Sequence, residues 1–514
     1  MIDPLFPSPR SIPEETAAYW PDTGFLELPD YPVPLAVVVA LDEQGTGAEE
    51  WVSEYWPLVA HESTHWIQAH AFGYGRFQAR IDRARTEIAE SFWQLFTTDV
   101  AENLLTQRRA GTAVLQRTAS GLPVPRPELG PIGMRLQRHW AALGLLRHAL
   151  DTADCRFARG RDPCYWYGLA ALYAAAGPRV SEVATLPDDA LRTAAIAVAP
   201  RNGLERSVAA GGVTGFSSAS VAECAAVLDQ HWSYAHTAEG FRREGRTALG
   251  DRIWTRLVQS WESKAMTSYG DAFKVYQLLN PSLDLNAPRP LATLGVLCAV
   301  ALDAPFPPEH QGRTRDWSHV VPSLRFIALA RALSRVGLLP VESASALRGD
   351  EYAEYAARLC DAAGIPPPTR ASTLVEPPDE APSPVNDVRD LHHAAARAAG
   401  QLMQELPGAI VAPSETSVYR NSELHGERLA SLRVALEAPL LVIGGEMSYM
   451  SIDLTQFTHC ALGGTYQRLL WQLLGDVGPL RLDGLPRCER GQAMVETTLD
   501  LAERRLGTRI PFDR

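Results

Sequence analysis

Residues His61-Glu62-Ser63-Thr64-His65 carry the clearest chemistry in this 514-residue chain. On a helix, two histidines four positions apart lie on one face, one turn from each other. Both imidazoles can then reach a single cation, and the natural cation for two nitrogen donors and a water is Zn2+. Bound zinc brings the pKa of its water to about 7, so hydroxide is available near neutrality. Glu62, directly after the first histidine, is placed to hold that water and take its proton. The flanks support burial: Leu58-Val59-Ala60 precede the motif, Trp66-Ile67 follow, and Ser63 and Thr64 are uncharged. The competing reading is two core histidines with a salt-bridged Glu62.

The stretch VAHESTHWIQAHAFGYG resembles the active-site helix of zincin metallopeptidases. It is closest to bacterial members in which HExxH is followed by an aromatic residue, a Gln and a glycine turn. The resemblance covers about twenty residues. It implies a zinc hydrolase with a strand-plus-helix catalytic core, and it leaves the substrate open. Zincins use a third protein ligand and keep the fourth position for water. The HExxHxxGxxH extension is absent, because Gln68 and Ala71 occupy its last two defining positions. His70 stands about 140° around the helix from His65, so it cannot share the ion. A carboxylate from a later helix, as in gluzincins, is therefore expected. Glu223 in SVAECAAVL is favoured, since Ala219, Ala222, Ala225 and Ala226 would let its helix lie close to the first. Glu87 and Glu90 compete, at a gap from His65 similar to that of gluzincins. Neither Glu87 nor Glu223 has an Asp four residues later. Tyr234 and His231 are candidates for stabilising a developing oxyanion, with packing of an amphipathic helix as the alternative.

The elements that must position these groups can be sketched from periodicity and breakers. Val33–Leu41 is a continuous apolar run, read as a buried strand that could border the cleft. Acidic residues open a helical segment at Ala48, and Pro57 either kinks it or begins it anew. Gly73 and Gly75 end the motif helix. Further helices are expected at 77–109, 136–156, 166–176, from Ser217–Ser220 towards His236, and at 251–279, 321–336, 352–363, 387–405 and 467–474. Pro281–Pro308 is broken by prolines, and Leu440–Ile443 looks like a strand. The expected fold is mainly α with a small β-sheet (α+β): a zincin-like catalytic domain over 1–280 with a helical insertion at about 110–210, a helical extension over 281–365, a proline-rich linker over 366–384 and a C-terminal α/β segment over 385–514 that regulates, docks a partner or completes the fold.

Composition narrows the function class. The net charge of −12 argues against a general nucleic-acid binder. Arg80–Arg85 and Arg242–Arg246 are interleaved with acidic residues and read as solvated helix faces. Seven cysteines without a CxxC pair suit free thiols in a reducing compartment, and the N-terminus lacks a signal pattern, so a cytoplasmic, bacterial protein is expected, with no membrane partner. His392-His393 reads as surface. No phosphate loop and no GxSxG elbow is present. The expected function is a zinc metallopeptidase acting on a peptide or protein substrate. The alternatives are a non-hydrolytic HExxH metalloenzyme using iron in peptide modification, and an inactive zincin-like scaffold.

Overall fold

The computed structural model describes residues 18–20, 25–28, 56–116, 124, 126–152, 216–265, 270–305, 310–311, 314–315, 319–368, 384–416, 440–443, 446–449, 454–475 and 489–510. Helices dominate them: α1 (Trp56–Ala71), α2 (Gly73–Gln94), α3 (Thr98–Arg109), α4 (Gly130–Thr152), α5 (Ser218–Arg243), α6 (Thr247–Ala265), α7 (Asp271–Leu279), α8 (Pro288–Leu302), α9 (Pro322–Val336), α10 (Gly349–Ala363), α11 (Pro384–Glu405), α12 (Leu454–Gly475) and α13 (Glu489–Leu506).

This overturns the expected α+β class. The protein is a helical assembly, and its buried core is made by helix packing on helix. Short strands of two to four residues occur at Ala18–Trp20, Phe25–Leu28, His310–Gln311, Thr314–Arg315, Leu440–Ile443 and Glu446–Tyr449. None supplies a residue of the candidate site. The apolar run Val33–Leu41, on which the sheet expectation chiefly rested, lies outside the described residues, as do 166–176 and the glycine loop at 211–215. Among the described residues no helix is long and apolar enough to cross a membrane.

One continuous apolar cluster runs from Ile67 on α1 to Ile510 after α13. It takes in Leu297 of α8, Leu329 of α9, Leu402 of α11 and Trp471 of α12. The described parts of the C-terminal segment thus share the core of the motif helix: α11 packs on α1, and α12 on α2. Polar clamps tie the same elements. Tyr466 of α12 donates to Glu90 of α2 at 2.9 Å, and Arg505 of α13 donates to the same carboxylate. Arg85, expected on a solvated face, is fully buried between the rings of Trp140 and Trp471, its guanidinium carbon 4.3 Å from each ring centroid. A delocalised, weakly hydrated guanidinium tolerates such a stacked site.

α8 forms where prolines seemed to forbid a helix. Pro288 and Pro290 stand in its first turn, where backbone N–H groups have no intrahelical partner to lose. Its remaining residues, from Leu291 to Leu302, are buried all round.

The corner between α1 and α2 depends on glycine. A Cβ on Gly73 would lie 1.9 Å from the carbonyl oxygen of Ala304, and one on Gly75 would lie 2.4 Å from the carbonyl oxygen of Gln68. The Gly73 N–H also donates to Asp303 at 2.9 Å. Because backbone cannot move aside as a side chain can, Gly73→Ala is expected to destabilise the protein by about 1–3 kcal/mol or more through overpacking. Denaturant unfolding of the variant measures this, and an unchanged midpoint would refute the close approach.

Candidate metal centre

The described part of α1 starts at Trp56, with Pro57 as its second residue, so the choice between a kink and a fresh start at Pro57 turns on residues that are not described. The helix is buried almost all round, with only Leu58, Ser63 and Ala69 partly exposed between Pro57 and Phe72. Such a helix must have neighbours on every side. α5 covers one face and α11 another.

α5 starts at a capping box. Ser217 Oγ accepts from the Ser220 N–H at 3.1 Å, while the Ser217 N–H donates to Ser220 Oγ at 3.3 Å. The small residues Ala222, Ala225 and Ala226 are buried, as close approach to α1 requires. Thr64 and Asp229 lock the pair: the Thr64 hydroxyl lies 2.9 Å from the Ala60 carbonyl oxygen and 3.2 Å from Asp229 Oδ2. Asp229 also accepts from the Ser414 N–H at 2.8 Å and the Ser414 hydroxyl at 2.9 Å, bringing in the short helix Pro413–Thr416. This clamp was not anticipated. Its sequence trace is slight, a Thr inside the motif and an Asp six residues after Glu223, and only the packing pairs them.

The two helices bring His61, His65 and Glu223 to one point. Nε2 of His61 and Nε2 of His65 each lie 3.3 Å from Oε2 of Glu223. The three ligating atoms all lie within 4.8 Å of one another, and the histidine rings are nearly perpendicular, with centroids 5.1 Å apart. Both imidazoles are fully buried, whereas the Glu223 side chain keeps 14 % of its exposure. Burial alone would raise the pKa of Glu223. The positive charge that the two histidines carry when protonated outweighs it and holds the carboxyl far below the usual range.

Two edges of the donor set have the length expected around a tetrahedral cation. With bonds of about 2.0–2.1 Å, the edge of a tetrahedron is about 3.3 Å, the separation seen between each nitrogen and the carboxylate oxygen. A direct charge-assisted hydrogen bond would be shorter, about 2.7–2.9 Å. Among the described residues this is the one group of three or more His, Cys, Asp or Glu side chains placed to share an ion. Glu62 is fully buried on the same helix, about 60° from His65 on the helical wheel.

The other candidates lie elsewhere. Glu87 forms an ion pair with Arg83 at 2.7 Å, and Glu90 is held by Tyr466 and Arg505, so neither joins the histidines. His231 and Tyr234 follow Glu223 by about 12 and 16 Å along the helix axis. His231 packs edge-on against Trp261, with ring centroids 5.0 Å apart, and burial lowers its pKa to about 4. Tyr234 belongs to a small apolar cluster with Ala238, Ile253 and Leu257. Neither is placed to stabilise an oxyanion at the triad, because α6 covers that end of α5.

On the opposite side of α1, His392 is wedged against His70, contrary to its surface reading. The ring centroids are 4.6 Å apart, and Trp66 completes the cluster. Burial lowers the pKa of His70 to about 4; its hydrogen bond to the Trp66 carbonyl opposes this and Arg76 adds to it. Burial also drives His392 well below its usual range, helped by His70 and His393. Unfolded histidines titrate near 6.5, so below that pH the unfolded chain binds more protons. Stability should therefore fall as pH drops from about 6.5 to about 4, by on the order of 3 kcal/mol for His70. Urea midpoints measured across that window, in the parent and in His392→Leu, check this; an equal acid loss in both proteins would refute the contribution of the α1–α11 contact.

No family model, no curated protein and no solved structure matches the chain.

Proposed function

We propose that the protein is a metal-dependent hydrolase, a zinc peptidase that cleaves amide bonds. The observation that carries this is the convergence of His61 Nε2 and His65 Nε2 on one oxygen of Glu223, at the edge length of a zinc tetrahedron. His61, His65 and Glu223 would hold the ion. When bound, zinc supplies Lewis acidity towards a scissile carbonyl and makes its coordinated water acidic enough to ionise near neutrality. Glu62 carries the proton: its carboxylate takes it from the attacking water and returns it to the leaving amine. Glu223, the one ligand whose side chain keeps partial exposure, marks the side from which an extended peptide would enter.

The same two histidines and carboxylate would also serve an oxygen-activating iron enzyme. What favours hydrolysis is Glu62, a buried carboxylate next to the first ligand, which iron-oxygen chemistry does not need. Metal analysis of protein purified without chelators, with anomalous scattering at the zinc edge, tests the reading. One zinc per chain in contact with residues 61, 65 and 223 is the expected result. Stoichiometric iron would support the oxygenase alternative, and no metal at all would support a scaffold.

A further inference from the structure

We infer that Gln68 is a positioning residue that determines which nitrogen of His65 faces Glu223; its purpose rests on the metal reading above, but its geometry does not. Gln68 is one turn beyond His65 on α1, and both side chains are buried, so water does not compete for their polar atoms. The Gln68 side-chain nitrogen donates to the Ala222 carbonyl oxygen at 2.8 Å. That carbonyl can only accept, so the amide NH2 must point to it and Oε1 must point the other way. Oε1 lies 3.0 Å from His65 Nδ1. An amide oxygen also only accepts, so the proton of the neutral imidazole sits on Nδ1. The lone pair is then on Nε2, the atom 3.3 Å from Glu223 Oε2. A ring in the other tautomer would present an N–H to the ion and could not ligate it.

The same side chain ties the ligand helices together. Ala222 immediately precedes Glu223, so a single amide joins α1, which carries two ligands, to the backbone of α5 beside the third. Few side chains can do both tasks. A carboxylate at position 68 accepts from Nδ1–H but cannot donate to Ala222, an ammonium donates but cannot accept, and asparagine is one carbon shorter. The packing of Gly75 against the Gln68 backbone holds the residue in place from behind.

The test begins with the metal-free parent protein, labelled with 15N-histidine at pH 8. Long-range proton–nitrogen correlations are expected to show the His65 proton on Nδ1; a proton on Nε2 overturns the inference without any variant. Gln68→Met, of similar length and apolar, should mix the two tautomers and weaken zinc binding in a chelator competition by about 10–100-fold, the usual effect of losing a group that orients a metal-bound histidine. Gln68→Glu keeps the acceptor and should recover the Nδ1 proton and most of the lost affinity. A folded Gln68→Met protein with the parent's tautomer and zinc affinity overturns the inference. A parent that takes up no divalent ion, yet carries the proton on Nδ1, defeats the metal reading and supports this one.

Discussion

Glu62→Gln is expected to keep the fold and the full complement of metal while losing turnover by about 10²–10⁴-fold, the range contributed by a general base. Glutamine matches glutamate in shape, so the buried site at position 62 is filled as before. Its amide cannot take a proton from water. The other groups at the site, His61, His65 and Glu223, are unaltered, so metal content separates this variant from any that damages the centre. The assay pairs metal analysis with cleavage of a mixed library of quenched fluorescent peptides, parent against variant. A metal-replete Glu62→Gln protein as active as the parent would remove Glu62 from the mechanism and, with it, the main reason to prefer hydrolysis.

Glu223→Ala should do the opposite and abolish the centre. Removing a group that only orients a ligand costs about 10–100-fold in metal affinity, so removing a ligand should cost more than about 100-fold. Glu87→Ala and Glu90→Ala should bind metal like the parent, since their carboxylates are engaged with Arg83 and with Tyr466 and Arg505. They should differ in stability. Glu87 is in a partly exposed pair on one helix, worth about 0.3–0.5 kcal/mol. Glu90→Ala leaves the buried Tyr466 hydroxyl without its acceptor and should cost about 1–3 kcal/mol. Zinc titration against a competing chelator, with thermal unfolding of each protein, reads both effects. Undiminished zinc binding by Glu223→Ala would show that the ion, if any, sits elsewhere.

Histidine spacing made one part of the site legible. Four residues is a helical turn, so His61 and His65 had to share a face wherever the helix was placed. The uncharged flanks announced burial, and the alanines around Glu223 announced a close helix–helix contact. The serines at the start of α5 marked its cap, because a hydroxyl there meets an otherwise orphaned N–H. Other signals misled. Prolines at 288 and 290 looked like breakers and proved to be first-turn residues, a distinction that depends only on where the helix begins. His392 and Arg85 looked like surface residues because their own segments are polar or alanine-rich; what buries them is contributed by Trp66 and His70 in one case, and by Trp140 and Trp471 in the other. Tyr234 follows Glu223 by eleven residues, about three turns, and so shares its helical stripe. Phase fixes the angle around an axis and says nothing of the 16 Å or so along it.

The amino-acid order by itself determined the pair of nitrogen donors, the carboxylate beside the first of them and the helix that displays all three, because those relations are local and follow from 3.6 residues per turn. Choosing Glu223 over Glu87 and Glu90 belonged to the tertiary structure. The alanines around Glu223 favour it locally, but only the packing of α5 on α1, across more than 150 residues of chain, puts one of the three carboxylates against both imidazoles. The dominance of helix-on-helix packing among the described residues was settled at the same level. A short apolar run does not reveal what it will pack on: Leu440–Ile443 forms the expected strand, yet the described core is built by helices drawn from distant parts of the chain.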